Sequence, residues 1–199
     1  MRKNGFFAMM TRMRNIARWG LMRNNITENL TEHSYDTAVT AHALAVIAKE
    51  KFGRDVDPGQ IAAVALFHDA SEIITGDLPT PVKYNNPEIR TAYKSIEQAA
   101  SDRLLKMLPA ELQPQYKVLF AFEADQPELY RYVKAADKIS AYIKCVEELR
   151  GGNDEFRRAA VQTLEAIKKM GMPEVDYYME QFAPAFSLSL DELQEEDNQ

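Results

Sequence analysis

Apolar residues recur three and four positions apart along most of the chain, and no stretch alternates as a half-buried strand would. This periodicity predicts a first helix over 6–21, followed by a polar loop over 23–29. A second helix is expected from Thr31, read as its N-cap, to Lys51, with Gly53 as the stop. Asp57-Pro58 sets a capping carboxylate before a proline at the first helical position, opening a third helix that is predicted to end at Gly76. The segment Asp77-Leu78-Pro79-Thr80-Pro81 is predicted non-helical, because its two prolines remove donors and fix the backbone. Asn86-Pro87 repeats the cap-and-proline signal for a fourth helix to Leu108, and a shorter one is expected over 109–123. Helices over 127–150, 154–170 and 173–182 complete the series, the first two stopped by Gly151-Gly152 and Gly171. Nothing along the chain reads as a repeat, a linker or a domain boundary. The fold expected is one compact all-α helical domain over 1–199, with a frayed, solvated acidic tail from about 191.

Composition narrows the setting. The 199 residues, 46% of them hydrophobic, suffice for one sizeable core. Cys145 is the sole cysteine, which fits a reducing compartment and excludes an internal disulfide. The longest apolar run, 61–67, is far too short to span a bilayer, and the basic N-terminus lacks the apolar stretch of a secretory signal. A cytoplasmic protein is the default expectation, with an amphipathic organelle-targeting peptide the alternative. A net charge of −6 argues against nonspecific coating of nucleic acid, and no membrane partner is expected. The charge is uneven: Arg2, Lys3, Arg12, Arg14, Arg18 and Arg23 precede the first acidic residue, Glu28, while Asp191, Glu192, Glu195, Glu196 and Asp197 cluster at the far end. The basic segment reads either as a solvated helix face or as an anion site.

Three histidines are present, and two stand in informative company. His68-Asp69 follows the apolar run and should lie in a buried part of its helix, where a carboxylate is costly unless paired or bound to metal. Glu72 lies one turn on and can converge with both. The plain alternative is a core histidine donating to a carbonyl, with Asp69 as a local cap. Asp137 lies among small residues that permit close helix packing, or else pairs on a surface with Lys134 or Lys138. His33 lies near the start of the second helix, either in a site or as an inert helix-end residue. His42, nine residues further, falls on the opposite helix face and is assigned to packing or surface.

A histidine, a His-Asp pair in a following helix and a lone Asp in a later one resemble the HD superfamily of metal-dependent phosphohydrolases. Arg18-Trp19, Glu28-Asn29 with Glu32-His33-Ser34, His68-Asp69-Ala70-Ser71-Glu72, and Gly76-Asp77-Leu78-Pro79-Thr80-Pro81-Val82-Lys83 together resemble the bacterial 5′-deoxynucleotidases, in order and over nearly the whole chain. The resemblance implies that His33, His68, Asp69 and Asp137 ligate one divalent cation. Two imidazoles and two carboxylates suit a transition ion such as Co or Mn better than Ca. Binuclear relatives need more histidines than remain once His42 is set aside.

The implied reaction is hydrolysis of deoxyribonucleoside 5′-monophosphates to deoxynucleoside and inorganic phosphate. In it Glu72 takes a proton from the attacking water, and Arg18 clamps the phosphate. Trp19, Asp69, Asp137 and the loop Asp77-Leu78-Pro79-Thr80 would contact substrate, with Asp77 accepting from the 3′-hydroxyl and excluding a 2′-hydroxyl. A homodimer is also implied. The competing expectations are a triphosphohydrolase or cyclic-nucleotide phosphodiesterase on the same metal, and a noncatalytic helical module that uses the basic segment to bind nucleic acid or a partner.

Overall fold

Small residues line the faces along which the long helices meet. The computed structural model describes residues 4–83 and 86–195. Within it α1 (Phe6–Met10) and a 3-10 turn (Thr11–Asn15) precede α2 (Leu30–Phe52), α3 (Pro58–Phe67), and the one-turn helices α4 (Glu72–Thr75) and α5 (Thr80–Lys83). Then come α6 (Pro87–Leu105), α7 (Gln113–Asp125), α8 (Pro127–Arg150), α9 (Arg157–Lys168), α10 (Pro173–Gln181) and α11 (Leu190–Glu195). α2 packs against both α3 and α8. Ala41, Ala45 and Ala48 of α2 and Ala135 and Ala136 of α8 are buried there with Ile61, Phe122 and Ile139. These methyl-sized contacts let three backbones approach closely, so polar groups on the facing turns come within reach of one another.

Two smaller clusters flank this core. Phe6 packs with Ala70, Leu104 and Leu108 beside Phe67 and Tyr116, and Phe156 packs with Cys145 and Ala160 beside Trp19. The candidate residues lie among the three. Asp137 follows Ala136 of the first, His68 and Asp69 lie between Phe67 and Ala70 of the second, and Arg18 precedes Trp19 of the third.

The all-α class holds, and several predicted boundaries are corrected. The first helix does not run to Leu21. It ends at Met10, tightens into the 3-10 turn, and leaves Ile16 extended. Ala17 then pairs antiparallel with Asn29, with Arg18 N donating to Glu28 O and Leu30 N to Ile16 O. These bonds to a distant segment take the place of helical ones, so Arg18 and Trp19 stand on an extended loop. The N-cap of α2 is Asn29 rather than Thr31. Its side chain accepts from Thr31 N and Glu32 N while the Glu32 side chain accepts from Asn29 N, a complete capping box.

The third helix breaks at Phe67. His68 to Ser71 form a turn closed by i to i−3 bonds before α4 begins, the tighter winding often found at functional positions. Pro81 lies inside α5, contrary to expectation, because a proline in the first turn removes no bond that a helix would make there. The predicted frayed tail starts with the helical turn α11. Arg2, Lys3, Glu196 and Asp197, named above for their charge, lie outside the described residues.

One buried ion pair ties the 16–29 loop to the end of α8. The Glu148 carboxylate, fully buried, accepts from Asn25 N at 2.9 Å, Ile26 N at 3.0 Å and Asn153 Nδ2 at 2.8 Å. Lys144 donates to Glu148 and to the Ile26 carbonyl. Burial pushes the Glu148 carboxyl up, but these donors outweigh it and bring it down to about 2. A depressed carboxyl stabilises the fold above the ordinary glutamate range, and the contribution is lost as pH falls toward about 2. Glu148→Ala should lower unfolding stability at pH 7 by about 3–5 kcal/mol, since Lys144 is left buried and uncompensated. Urea midpoints of both proteins at pH 7 and pH 3 check this, and the gap between them should shrink at the lower pH.

Candidate active site

His33 enters the site from the first turn of α2, held there by the Asn29–Glu32 box, and is fully buried. His68 and Asp69 come from the tight turn after α3, Glu72 from the start of α4, and Asp137 from the middle of α8. The ring nitrogens and carboxylates face one another. His33 Nε2 lies 3.2 Å from Asp137 Oδ1 and 3.6 Å from Asp69 Oδ2, and His68 Nε2 lies 3.1 Å from the same Asp69 oxygen. His33, His68 and Asp69 each offer a ligand atom within 4.8 Å of the others, a spacing fit for a metal ion, and Asp137 adjoins this trio through His33.

The far edge of each imidazole is fixed by the protein. His68 Nδ1 lies 2.7 Å from the Ala65 carbonyl, which can only accept, so Nδ1 donates and a neutral His68 presents a lone pair at Nε2. That Nε2 is buried and makes no hydrogen bond. His33 Nδ1 lies 3.2 Å from Ser140 Oγ. Two imidazoles oriented from behind and two carboxylates in front are a donor set for a borderline divalent cation.

Charge points the same way. The carboxyl groups of Glu28, Asp69, Glu72, Asp77 and Asp137 surround two cations, Arg18 and Lys83. Burial favours a neutral His68, yet the Asp69 carboxylate beside it raises the ring to about 9. Burial likewise pushes the Asp137 carboxyl up, but His33 outweighs it and brings it to about 2. Asp69, against its own burial, is held below the usual carboxylate range by His68. Glu72 goes the other way, to about 9, through burial and the nearby charges of Asp69 and Asp77. Its Oε2 is buried without a hydrogen bond, and its Oε1 is 3.9 Å from Lys83 Nζ.

Arg18 reaches the cluster from the extended loop. Its Nη1 is 3.5 Å from Asp69 Oδ2 and its Nε is 3.5 Å from Glu28 Oε2, but Nε is buried and makes no hydrogen bond. Trp19 holds a left-handed backbone (φ 58), which for a bulky residue costs of order 1–3 kcal/mol. Its indole donates to Glu28 Oε2 at 2.7 Å and its ring packs on Phe156.

A family model for YfbR-like 5′-deoxynucleotidases matches residues 5–186. The chain belongs to the YfbR-like 5′-deoxynucleotidase family. It is 48% identical to a 5′-deoxynucleotidase of Vibrio parahaemolyticus over 97% of this chain and 100% of that one. It is 49% identical to one of Photorhabdus laumondii over 94% and 95%. Among solved structures, an HD-domain phosphohydrolase of Listeria innocua superposes with a TM-score of 0.79 at 25% identity, covering 91% of this chain and 87% of that one. The cyanophage S-2L HD phosphohydrolase DatZ, solved with dA and one catalytic Zn2+ ion, shares the fold with a TM-score of 0.63 at 22% identity, over 90% and 95%.

The loop over 77–80 leaves α4 through Gly76, whose φ of 75 and ψ of 161 suit glycine alone. Asp77, Leu78 and Pro79 are half-buried there, and Thr80 opens α5. Burial raises the Asp77 carboxyl, and the Arg18 charge acts against that. Tyr93 of α6 fastens the turn by donating to the Gly76 carbonyl at 3.3 Å beside Thr75 Oγ1 at 3.2 Å, and Lys83 pairs with Glu97 of α6 at 2.8 Å.

His33, His68, Asp69, Asp137, Glu72 and Arg18 therefore gather around one centre, with Asp77 close enough to feel their charges, and His42 lies exposed on the opposite side of α2. Sequence reasoning missed the supports: Ser140, the Ala65 carbonyl, Tyr93 and Glu97. None carries a local pattern of its own, although Ser140 lies three residues after Asp137, on the same helix face. The convergence makes a direct prediction. After chelation, wild type and His42→Ala should take up Mn2+ or Zn2+ tightly, whereas His33→Ala, His68→Ala and Asp137→Ala should bind it at least tenfold more weakly, as read by metal titration.

Proposed function

We propose that this chain hydrolyses deoxyribonucleoside 5′-monophosphates to deoxynucleosides and inorganic phosphate. What carries the reading is the convergence of His33, His68, Asp69 and Asp137 with Arg18, whose Nε makes no hydrogen bond, in a member of a 5′-deoxynucleotidase family. His33, His68, Asp69 and Asp137 would hold one divalent ion, and Co or Mn suits this donor set. The buried, hydrogen-bond-free Nε2 of His68 and the zinc held by DatZ on the same fold support that reading. When bound, such an ion supplies charge neutralisation at the phosphate and orientation of water.

The side chains account for the remaining steps. Arg18 presents a planar fork to the phosphate oxygens. Glu72, which the charge of a bound cation would bring back to its ionised form, takes a proton as water oxygen bonds to phosphorus, and the same proton can return to O5′ as the phosphorus–O5′ bond breaks. Asp69 and Asp137 face the phosphate from the ligand cluster, Trp19 walls the nucleotide side, and the loop Asp77-Leu78-Pro79-Thr80 meets the deoxyribose. Asp77 accepts from the 3′-hydroxyl while the loop excludes a 2′-hydroxyl.

A cytoplasmic homodimer completes the proposal. Tyr35 and Val39, one turn apart on α2 and both more than half exposed, offer it an apolar stripe. Among the described residues no helix is long and apolar enough to cross a membrane.

Glu72→Ala should turn over roughly 10²–10⁴-fold more slowly while still binding metal. A parallel loss of metal content would make Glu72 a ligand instead. Wild type should release phosphate from deoxyribonucleoside 5′-monophosphates and largely spare ribose counterparts and 3′-monophosphates. Asp77→Ala should narrow that gap in kcat/KM. Equal wild-type rates on the two sugars would refute the sugar-loop role, and release of pyrophosphate or triphosphate would favour a different reaction.

A further inference from the structure

Glu28 is the carboxylate of the cluster to which the proposed reaction gives no task, yet it touches three of its members. Its Oε2 accepts from Trp19 Nε1 at 2.7 Å and lies 3.5 Å from Arg18 Nε, and its Oε1 lies 3.8 Å from His33 Nδ1. Its backbone carbonyl also accepts from Arg18 N at 3.0 Å. The side chain is 11% exposed, so these contacts act where water screens them weakly.

Arg18 stands between two carboxylates at equal distance. Glu28 Oε2 faces its Nε and Asp69 Oδ2 faces its Nη1, both at 3.5 Å. The Asp69 oxygen is the one that lies 3.1 Å from His68 Nε2 and 3.6 Å from His33 Nε2. An arginine pulled from one side only would close onto Asp69, compete with a cation for that oxygen and turn its donors away from substrate. Glu28 supplies the opposing pull. Trp19 adds a second requirement, because its left-handed backbone sets the direction in which the preceding residue leaves the loop. Its indole is tied to that same Glu28 oxygen, while Asn24 Nδ2 and Met22 N donate to its carbonyl.

We propose that Glu28 is a positioning residue, whose single carboxylate holds Arg18 off Asp69 and holds Trp19 in place, so that both face the substrate. The inference rests on Arg18 being the phosphate-binding group. It differs from a ligand role, since Glu28 stands behind Arg18 and beside the far edge of His33.

Two variants and one native probe separate the parts. Trp19 is the sole tryptophan of the chain, so emission excited selectively at tryptophan, apart from the nine tyrosines, reports on this position alone. Glu28→Gln removes the charge and keeps an oxygen for the indole. It should bind inorganic phosphate and deoxyadenosine 5′-monophosphate about tenfold more weakly, with KM raised more than kcat is lowered, and with bound metal and tryptophan emission as in wild type. Glu28→Ala should match that loss and also redden the emission and expose Trp19 to acrylamide. If Glu28 acts through Arg18, adding Glu28→Gln to Arg18→Ala should cost almost nothing further.

Additive effects, wild-type phosphate affinity in both variants, or loss of metal from Glu28→Gln would each overturn the proposal. Wild-type protein that binds phosphate but releases none from deoxynucleotides would instead sink the reading of function. The phosphate and emission readouts would then still decide the role of Glu28.

Discussion

A surplus of carboxyl groups packed around one centre is the constraint around which this protein is arranged. Asp69 from the turn after α3 and Asp137 from α8 approach the same imidazole, and Glu28, Glu72 and Asp77 crowd the same centre, with Arg18, Lys83 and a His68 ring raised to about 9 among them. Isolated carboxylates in such surroundings would be driven neutral or outward. Asp69 and Asp137 stay because the alanine-lined junction of α2, α3 and α8 leaves the facing turns no room to separate, and because each faces an imidazole nitrogen, while Glu72 is driven toward its neutral form. The same surplus is what a divalent cation would neutralise, so the feature that is hardest on stability is also the one that recruits the cofactor.

Rigid supports keep this arrangement in register. The capping box at Asn29 fixes the turn that carries His33, and the Ala65 carbonyl fixes the ring of His68. Farther out, the Glu148–Lys144 pair pins Asn25 and Ile26, and with them the loop that delivers Arg18, Trp19 and Glu28. On the other side Tyr93 and the Lys83–Glu97 pair join the Gly76–Lys83 segment to α6. The site is thus gripped from α8 and from α6, and its precision depends on residues outside the ligand cluster.

Much of this was legible in the chain. The helical class followed from periodicity, and proline positions gave the starts of α3, α6, α8 and α10. The residues His33, His68, Asp69, Asp137 and Glu72 stood out through their order and their resemblance to a known family, and they do converge. What failed was whatever depends on distant partners. The spacing of Phe6, Met10 and Met13 continues a helical pattern that the bridge between Ala17 and Asn29 interrupts, and a local pattern cannot register a bond to a segment a dozen residues away. Lys144 and Glu148 have the i, i+4 spacing of an ordinary exposed pair, and nothing in their neighbours marks them as buried. The break at His68 escaped for another reason: the residues there are good enough helix formers, and it is the tight turn's own bonding that bends the chain.

The central claim is that this cluster directs water at the phosphorus of a 5′-monophosphate with the help of a divalent ion. Single-turnover hydrolysis of a deoxyribonucleoside 5′-monophosphate in 18O-labelled water, followed by mass spectrometry of both products, tests it most directly. The account predicts one labelled oxygen in inorganic phosphate, none in the deoxynucleoside, and no product once the metal is chelated. Label in the deoxynucleoside hydroxyl, or phosphate release that persists without metal, would contradict it.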